Sequence, residues 1–318
     1  MAPRRLVIVG PTATGKTPLA VAVAEWLGDA ELVNADSRQV TRGLVVGTCA
    51  PTAEELRGVP CHLIGVRDPD QSYSVADWAT AARGVLSELA ATGRRAIVVG
   101  GTGLYVAALL EGFDFGGTPP DPARRAALES LAGTAAGRAR LAAELSGRDP
   151  AGAATVDLRN PRRVIRALEI VDARGHLAGA RGGGDALEAT VIGLDAPSAL
   201  HLSLIRERAE RLLGTGALVE EVDSALTRGV SHSALERAGI GYREALAVLA
   251  GSLTLEQAKA ALVQRTRRYA RAQRTWFRRD PRIRWLERGA GPVEEHVVEV
   301  IDALHQGARA GQRLSGRG

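Results

Sequence analysis

Cysteine is scarce in this chain of 318 residues, and long apolar runs are missing altogether. Its only cysteines, Cys49 and Cys61, are too few for a disulfide framework and lack the spacing of a zinc site. No apolar run approaches the roughly 20 residues that a membrane-spanning helix needs, and residues 1–5 do not begin a signal peptide. These absences argue against disulfide-rich, zinc-binding and membrane-spanning classes, and we expect a cytoplasmic protein without a membrane partner.

Lysine is also scarce, although the chain carries a net charge of +5. Of its 41 basic residues only Lys16 and Lys259 are lysines, and the remainder are arginines. This bias, together with abundant alanine and glycine, is typical of a coding preference. A lysine at position 16 therefore indicates a site that needs a compact point charge rather than a planar guanidinium.

Lys16 belongs to the pattern G-x-x-x-x-G-K-T, whose members are Gly10, Pro11, Thr12, Ala13, Thr14, Gly15, Lys16 and Thr17. An apolar run at 6–9 precedes the pattern and an amphipathic pattern at 19–27 follows it, which predicts strand, loop and helix. The glycines let successive N–H groups wrap around an anion at the helix N-terminus. Lys16 would then reach the terminal phosphate, and the Thr17 hydroxyl would hold Mg²⁺. The pattern predicts a di- or triphosphate site; an accidental glycine-rich turn is the alternative.

Two later predicted strands also end in small or polar residues. The strand at 30–34 leads into Asp36-Ser37-Arg38-Gln39, and the strand at 96–99 leads into a glycine-rich segment that contains Thr102. The carboxyl ends of parallel strands meet at one edge, where α/β proteins place their chemistry. From the residues alone, Asp36 is as readily a turn or helix cap as an acid–base group.

Short apolar runs alternate with helical patterns along much of the chain. Further strands are predicted at 61–66, 190–194 and 283–286, and helices at 75–89 and 254–279. This alternation predicts an α/β fold: a P-loop NTPase-like parallel sheet flanked by helices.

The middle of the chain has a different texture. After a Gly-Pro-rich linker at 116–120, residues 121–147 are rich in Ala, Arg, Leu and Glu at helical spacing. We interpret residues 117–187 as a mainly helical insertion domain, with ordinary crossover helices as the alternative. The α/β core then comprises 1–116 and 188–306, and the Gly/Arg-rich residues 307–318 predict a disordered tail.

Positive charge is concentrated between residues 264 and 288, which contain ten arginines and only two acidic residues. That segment carries +8, which leaves −3 for the rest of the chain. Four of its arginines share one face of the predicted helix: Arg267, Arg271, Arg274 and Arg278. Four aromatic residues lie among them: Tyr269, Trp276, Phe277 and Trp285. Guanidinium forks and flat rings suit phosphate contact and base stacking in RNA, whereas a solvated basic face over core aromatics is the alternative.

In chain order, these motifs resemble those of the tRNA dimethylallyltransferase family, also called tRNA isopentenyltransferases. The resemblance covers nearly the whole chain. It rests on GPTATGKT at 10–17, DSRQV at 36–40, VGGTGLY at 99–105, NPRRVIRALEI at 160–170, GIGYREAL at 239–246 and RTRRYARAQRTWFRRD at 265–280. The first motif is shared with many phosphate-loop proteins, but the combination at these separations is specific.

The resemblance implies transfer of a dimethylallyl group from dimethylallyl diphosphate to N6 of adenosine 37, in the anticodon stem-loop of tRNA. The phosphate loop then holds the prenyl diphosphate with Mg²⁺, and not ATP. The implied catalytic residues are Asp36 as general base, Thr102 at the leaving oxygen and Arg208 on the diphosphate. The residues expected to contact tRNA are Asp36, Ser37, Arg38, Gln39, Arg162, Arg163, Arg166, Arg271, Gln273 and Arg274. We expect a monomer.

At four positions the chain departs from the family's usual residues. Thr41 stands where tyrosine is usual, Ala50 replaces a lysine, Leu204 replaces a basic residue, and Ala272 replaces the second residue of a common Lys-Arg-Gln. These changes bear on tRNA affinity and rate more than on the type of reaction.

Two other classes of function remain open at this point. A small-molecule kinase on the same sheet would use ATP and could employ residues 117–187 as a lid. Alternatively, an RNA-binding protein could keep the phosphate loop for structure alone. The basic, aromatic-bearing helix argues against the first, and the combination of Lys16, Asp36 and Thr102 argues against the second.

Overall fold

The computed structural model describes residues 5–113, 121–177 and 185–315, with side chains described up to residue 306. Its strands are β1 (Arg5–Val9), β2 (Ala30–Asn34), β3 (Cys61–His62), β4 (Arg95–Gly100), β5 (Ala189–Asp195) and β6 (Ile283–Glu287). Its helices are α1 (Lys16–Leu27), α2 (Ala53–Leu56), α3 (Val75–Ala91), α4 (Gly103–Leu110), α5 (Pro122–Ala132), α6 (Ala135–Arg148), α7 (Pro150–Ala153), α8 (Pro161–Arg174), α9 (Ser198–Ala209), α10 (Ala217–Thr227), α11 (His232–Ala238), α12 (Tyr242–Leu249), α13 (Leu255–Phe277) and α14 (Val297–Ser315). A π-helical turn (Glu210–Gly214) continues α9, and a 3₁₀ turn (Val293–His296) precedes α14.

The strands form one sheet in the order β3-β2-β4-β1-β5-β6, and every neighbouring pair is parallel. The central strand β1 pairs with β4 and β5, with Val7 opposite Val98 on one side and Val191 on the other. Parallel strands covered on both faces are apolar throughout, which explains why β1 reads as a continuous apolar run. The predicted P-loop NTPase-like sheet is confirmed, and the last strand lies at its edge as expected.

The strand predicted at 61–66 is shorter than expected, because β3 ends at His62. Leu63 and Gly65 both adopt left-handed backbone conformations, with φ of +64° and +60°, which interrupt an extended strand. The sheet edge beside β2 is therefore only two residues long.

The chain divides into two compact units, one comprising Met1–Leu110 and Glu188–Gly318 and the other Glu111–Leu187. In the first unit, one apolar core surrounds Leu19, Ile97 and Val300 and covers the sheet with α1 and α14. A second core, around Leu218 and Leu262, packs α10, α12 and α13 together. This second core holds α13 in place beside the sheet.

The second unit packs helices α5 to α8 around Leu128, Leu141 and Leu168. Asn160 caps α8 by accepting hydrogen bonds from backbone N–H groups, and a proline occupies the first helical position. The unit begins at Glu111, not at residue 117, and the linker expected at 116–120 lies outside the described residues.

The C-terminal segment differs from the sequence-based prediction. Helix α14 continues to Ser315, so the disorder expected for 307–318 is wrong for the backbone of 307–315. Ala, Arg, Gln and Leu in this stretch are good helix formers, and they extend a helix that already packs on α1. Across the ranges that the structure describes, no helix is long and apolar enough to cross a bilayer.

Candidate active site

Residues 10–15 join β1 to α1 and form the predicted phosphate loop. Gly10 has a φ of +141°, and a Cβ there would overlap the carbonyl oxygen of Leu194, so the loop can pass β5 only with glycine. Lys16 Nζ and Thr14 Oγ1 both donate to the carbonyl oxygen of Pro11, at 2.7 and 2.9 Å. Because α1 begins at Lys16, the loop lies at a helix N-terminus, where anions bind.

The ammonium group of Lys16 is buried in this loop. Burial lowers the pKa of Lys16 to about 8; Asp36 opposes this shift and Arg208 adds to it. An incoming diphosphate would favour the charged form that burial disfavours. Lys16 is therefore suited to bind a multivalent anion.

Thr12 in the same loop is held through all three of its polar groups. Its N–H donates to Gln273 Oε1 at 2.8 Å, and its hydroxyl oxygen accepts from Arg208 Nη1 at 2.7 Å. Its carbonyl oxygen lies 2.9 Å from Nε2 of His201. Since Gln273 also donates to the carbonyl oxygen of Gly101 at 2.8 Å, the loop is tied to the end of β4.

Gln273 and Arg274, which the resemblance assigned to tRNA, face the phosphate loop. Gln273 is only 5% exposed. Arg274 forms a bidentate ion pair with Asp195 at the end of β5, with N–O distances of 2.6 to 3.1 Å. Burial alone would raise the pKa of Asp195, but the hydrogen bonds from Arg274 lower it. These two residues of α13 therefore position the loop from inside the protein.

Asp36 and Thr102 follow neighbouring strands, β2 and β4, and Ser37 connects them. The Ser37 N–H donates to Thr102 Oγ1 at 2.8 Å, and the Thr102 hydroxyl donates to Ser37 Oγ at 3.1 Å. Asp36 Oδ1 accepts the N–H of Arg38 at 2.9 Å, whereas Oδ2 has no hydrogen bond to any described residue. The carboxylate thus caps a turn with one oxygen and keeps the other available; we name this arrangement the Asp36–Thr102 group.

Tyr269 of α13 lies near the same group and lines a cavity together with Asp36. Burial raises the pKa of Tyr269 to about 12, and the nearby Asp36 carboxylate contributes to that shift. The phenol is therefore neutral at physiological pH. From the sequence, Tyr269 was predicted only as one of the aromatics of the basic segment. The pattern that indicates its place in the site is the spacing of Thr266, Tyr269 and Gln273, which lie on the inward face of α13.

Arg38 and Gln39 line the cavities beside this group. Arg38 Nη1 donates to the carbonyl oxygen of Arg237 at 2.6 Å, and Gln39 Nε2 donates to that of Cys49 at 2.8 Å. These bonds fix the segment that follows β2 against its neighbours.

The phosphate loop and the Asp36–Thr102 group border a cavity of about 440 Å³ at the carboxyl edge of the sheet. Three arginines from other elements also line it: Arg208, Arg211 and Arg288. None of their guanidinium groups pairs with a carboxylate among the described residues. Together with Lys16 they suit a ligand that carries several negative charges.

A smaller cavity of about 40 Å³ shares Thr12, Asp36 and Arg208 with the first. Much of its remaining wall is apolar, formed by Ile205, Ala209, Leu212, Ile240 and Leu262. The combined site therefore has a cationic side and an apolar side, and it suits a ligand with an anionic head and a short hydrocarbon group.

Thr17 is the residue predicted to hold Mg²⁺. Its side chain lines the larger cavity, and its hydroxyl makes no hydrogen bond to other described residues. Within the described ranges, no group of three or more His, Cys, Asp or Glu residues could hold a metal. Mg²⁺ usually keeps several waters and takes substrate phosphate oxygens, so Thr17 beside a bound diphosphate fits this ion.

The loop at 44–51 forms another wall of both cavities, and Glu221 of α10 holds it. The carboxylate accepts three consecutive N–H groups, from residues 45–47, at 2.6, 2.7 and 3.0 Å. It also accepts the Tyr242 hydroxyl at 2.7 Å. The ring of Tyr242 lies so close to Gly47 that a Cβ there would be 2.5 Å away. The GIGYREAL motif therefore supports a cavity wall.

We expect Glu221→Gln to destabilise the protein, because its amide N–H groups would face the backbone donors of 45–47. Loss of these charge-assisted bonds should lower the free energy of unfolding by about 1.5–3 kcal/mol, measured by chemical denaturation. Glu220→Gln, at the exposed neighbouring position, is the matched control and should stay within about 0.5 kcal/mol of the wild type. Equal stabilities of the two variants would contradict the role assigned to Glu221.

The arginines between 264 and 288 separate into two groups. Six bind protein partners: Arg265 to Glu244, Arg274 and Arg278 to Asp195, Arg282 to Asp280, Arg284 to Gln306 and Arg288 to the carbonyl oxygen of Thr14. Four side chains have no partner in the described part of the chain: Arg267, Arg268, Arg271 and Arg279. In the described part of the chain, this second group can therefore bind an external anion without first leaving a protein partner.

Three of the free arginines, Arg268, Arg271 and Arg279, surround Trp276 in a surface groove of about 360 Å³, which we name the Trp276 groove. The indole is 39% exposed. It packs so closely on Gly103 that a Cβ there would overlap it, which places the groove beside the Asp36–Thr102 group. An exposed ring among free guanidinium groups suits single-stranded nucleic acid.

In the second unit, the three arginines expected to contact tRNA differ in their surroundings. Arg162 and Arg163 are exposed at the start of α8, and their side chains have no partner among the residues described. Arg166 instead donates to the buried Glu169 at 3.2 Å. Only the first two present their full charge to solvent.

Known proteins that are similar to this chain belong to one family. The model of the IPP transferase family matches residues 39–280. The tRNA dimethylallyltransferase of Streptomyces coelicolor is 42% identical over 92% of this chain and 93% of its own length. That of Thermobifida fusca is 41% identical over 93% of each. The crystal structure of the full-length tRNA isopentenylpyrophosphate transferase from Bacillus halodurans is 34% identical, with a TM-score of 0.69 over 97% of this chain and 99% of that one. By sequence and by structure, this chain belongs to the IPP transferase family.

Proposed function

We propose that this protein transfers a dimethylallyl group from dimethylallyl diphosphate to N6 of adenosine 37 in tRNA and releases diphosphate. The observation that carries the proposal is the meeting of three features at one edge of the sheet. A cationic cavity surrounds the phosphate loop, the Asp36–Thr102 group lies beside it, and the Trp276 groove adjoins that group. In this proposal the cavity binds the leaving diphosphate, the Asp36–Thr102 group acts on the reacting amine, and the Trp276 groove binds the RNA. Because the acceptor is tRNA, we place the reaction in the cytoplasm.

The first part of the chemistry is departure of the diphosphate. The bond between dimethylallyl C1 and the diphosphate oxygen breaks, and negative charge develops on the leaving group. Loop N–H groups, Lys16 and Arg208 stabilise that charge in the transition state. Arg208 is already oriented by its bond to Thr12 Oγ1 before the substrate arrives. Mg²⁺ held by Thr17 and the diphosphate would supply further charge neutralisation.

The second part is removal of a proton from the adenine amine. As the new N6–C1 bond forms, the amine loses one proton, and the free Oδ2 of Asp36 accepts it. Thr102 lies beside this carboxylate and can turn its hydroxyl from Ser37 Oγ to the leaving oxygen. The backbone N–H of Ser37 holds Thr102 at that position.

The RNA reaches this chemistry across the surface of α13. Arg268, Arg271 and Arg279 would contact phosphates, and Trp276 would stack on a base. The segment 37–39 would contact the target nucleoside and its neighbours. Arg162 and Arg163 of the second unit would contact the tRNA as well. To reach Asp36, the target base must leave its stack in the anticodon loop.

The direct test is incubation with labelled dimethylallyl diphosphate and unmodified tRNA, followed by nucleoside analysis. We expect the N6-dimethylallyl adduct at position 37. A parallel incubation with ATP and small-molecule acceptors tests the kinase alternative. ATP turnover without prenyl transfer would overturn the proposal, and so would tRNA binding without either product.

We expect Arg271→Ala to weaken tRNA binding, because Arg271 is exposed and has no protein partner. Loss of one phosphate contact should also make the slope of log K against log salt shallower by about 0.7–0.9. Filter binding at several salt concentrations measures both quantities. Arg95→Ala is the control, since Arg95 begins β4 at the opposite edge of the sheet and pairs with Asp29. An unchanged slope in Arg271→Ala would place the RNA elsewhere.

A further inference from the structure

We infer that His201 is a positioning residue for the phosphate loop: its neutral imidazole holds the Thr12 carbonyl, and protonation of the ring weakens diphosphate binding. His201 lies in α9, outside the motifs that carry the family resemblance. The inference rests on the proposed function in one respect, namely that the loop holds a diphosphate.

The hydrogen bonds of His201 determine its protonation state. The residue is only 4% exposed, and its two ring nitrogens have different partners. Nε2 lies 2.9 Å from the carbonyl oxygen of Thr12, and Nδ1 lies 3.0 Å from Nη2 of Arg274. A guanidinium can only donate and a carbonyl can only accept. The neutral tautomer with its hydrogen on Nε2 is therefore the one form that satisfies both contacts.

The Thr12 contact matters because the peptide group is planar. The carbonyl of Thr12 and the N–H of Ala13 belong to the same trans peptide unit, so they point in opposite directions. When His201 holds the carbonyl toward α9, the N–H of Ala13 points away from α9. Ala13 lines the larger cavity. His201 thereby fixes the direction of one backbone N–H donor of the loop.

The charges around the ring oppose protonation. Three charged groups face His201: Arg274 from α13, Asp195 from the end of β5 and Lys16 from α1. Burial lowers the pKa of His201; the Thr12 carbonyl and Asp195 oppose this shift, whereas Arg274 and Lys16 add to it. Asp195 is occupied by its bidentate pair with Arg274. Protonation would therefore place two cations about 3.0 Å apart and remove the acceptor for Arg274.

The test is the pH dependence of inorganic diphosphate binding, measured by calorimetry between about pH 5 and pH 9 around the ordinary histidine pKa. His201→Gln can still donate to Thr12 but does not titrate, and His201→Phe cannot donate. We expect wild-type affinity to fall on the acid side relative to His201→Gln. Because diphosphate titrates equally in both experiments, its titration cancels in the ratio of the wild-type affinity to the His201→Gln affinity. His201→Phe should bind about tenfold more weakly throughout, as expected for loss of one buried hydrogen bond.

His232→Gln, at an exposed position in α11, is the matched control and should follow the wild type. Thermal unfolding of each variant separates a folding defect from a binding defect. Wild type and His201→Gln with the same pH profile would overturn the inference while leaving the proposed function intact. Failure of the wild type to bind diphosphate at any pH would instead count against the proposed function.

Discussion

Asp36→Asn should lower the rate of prenyl transfer by about 10²–10⁴-fold while leaving tRNA binding unchanged. The amide keeps an oxygen that can accept the N–H of Arg38, so the turn after β2 should survive. It cannot take a proton from the adenine amine. Single-turnover transfer with labelled dimethylallyl diphosphate and prebound tRNA measures the effect.

Asp77→Asn is the matched control for this substitution. Asp77 is also a capping carboxylate, because it accepts the N–H of Ser74 at the start of α3. Its change should alter transfer by no more than about twofold, as expected away from a functional site. A rate for Asp36→Asn within tenfold of the wild type would remove Asp36 from the proton transfer.

Lys16→Met should lower kcat by about 10²–10³-fold, because it removes a cation from the charge that develops on the leaving diphosphate. Methionine fills most of the volume of the lysine stem without its charge. The only other lysine provides the control: Lys259 bonds Glu210 and Glu256 at the surface, and Lys259→Met should leave kcat unchanged. A kcat near that of the wild type for Lys16→Met would assign the stabilisation to the arginines alone.

The buried state of Lys16 also predicts a pH dependence. Burial disfavours the charged form, so the pKa of Lys16 in the free protein is lowered to about 8, and the cation is present mainly below that pH. Wild-type affinity for diphosphate should therefore fall as the pH rises through about 8. Lys16→Met should lack this alkaline decline, yet it should retain the acid decline assigned to His201. Calorimetric titration of both proteins over the same range separates the two groups.

The sheet and the phosphate loop could be predicted because local rules determine them. A strand covered on both faces needs a continuous apolar run, and the positive φ of Gly10 and Gly15 needs glycine. The early end of β3 could not be predicted, because the left-handed Leu63 is fixed from a distance. Asn34 Nδ2 donates to its carbonyl oxygen at 3.0 Å.

The basic segment was predictable only in part. Helical spacing placed four arginines on one face. Whether each guanidinium group has a protein partner, however, depends on carboxylates from other elements. Asp195 comes from β5, and it pairs with Arg274 and Arg278, of which Arg278 stays exposed. His201 gave no signal for the same reason, since its partner Arg274 lies 73 residues away.

The structure also shows the surroundings of two residues that depart from the family's usual ones. Leu204 lines the larger cavity at a position that is usually basic, yet Arg211 and Arg288 line the same cavity. Thr41 is buried, and its hydroxyl accepts a hydrogen bond from Arg67 at 2.9 Å. The change at Leu204 therefore leaves the cavity with positive charge.

Helix α13 makes contacts on both of its sides that concern different substrates. Gln273 and Arg274 reach inward to the phosphate loop and its support, while Arg271 and Trp276 lie on the outer surface only two residues away. We therefore expect the affinities for tRNA and for the prenyl diphosphate to be coupled. By reciprocity, the factor by which bound tRNA changes diphosphate affinity then equals the factor by which bound diphosphate changes tRNA affinity.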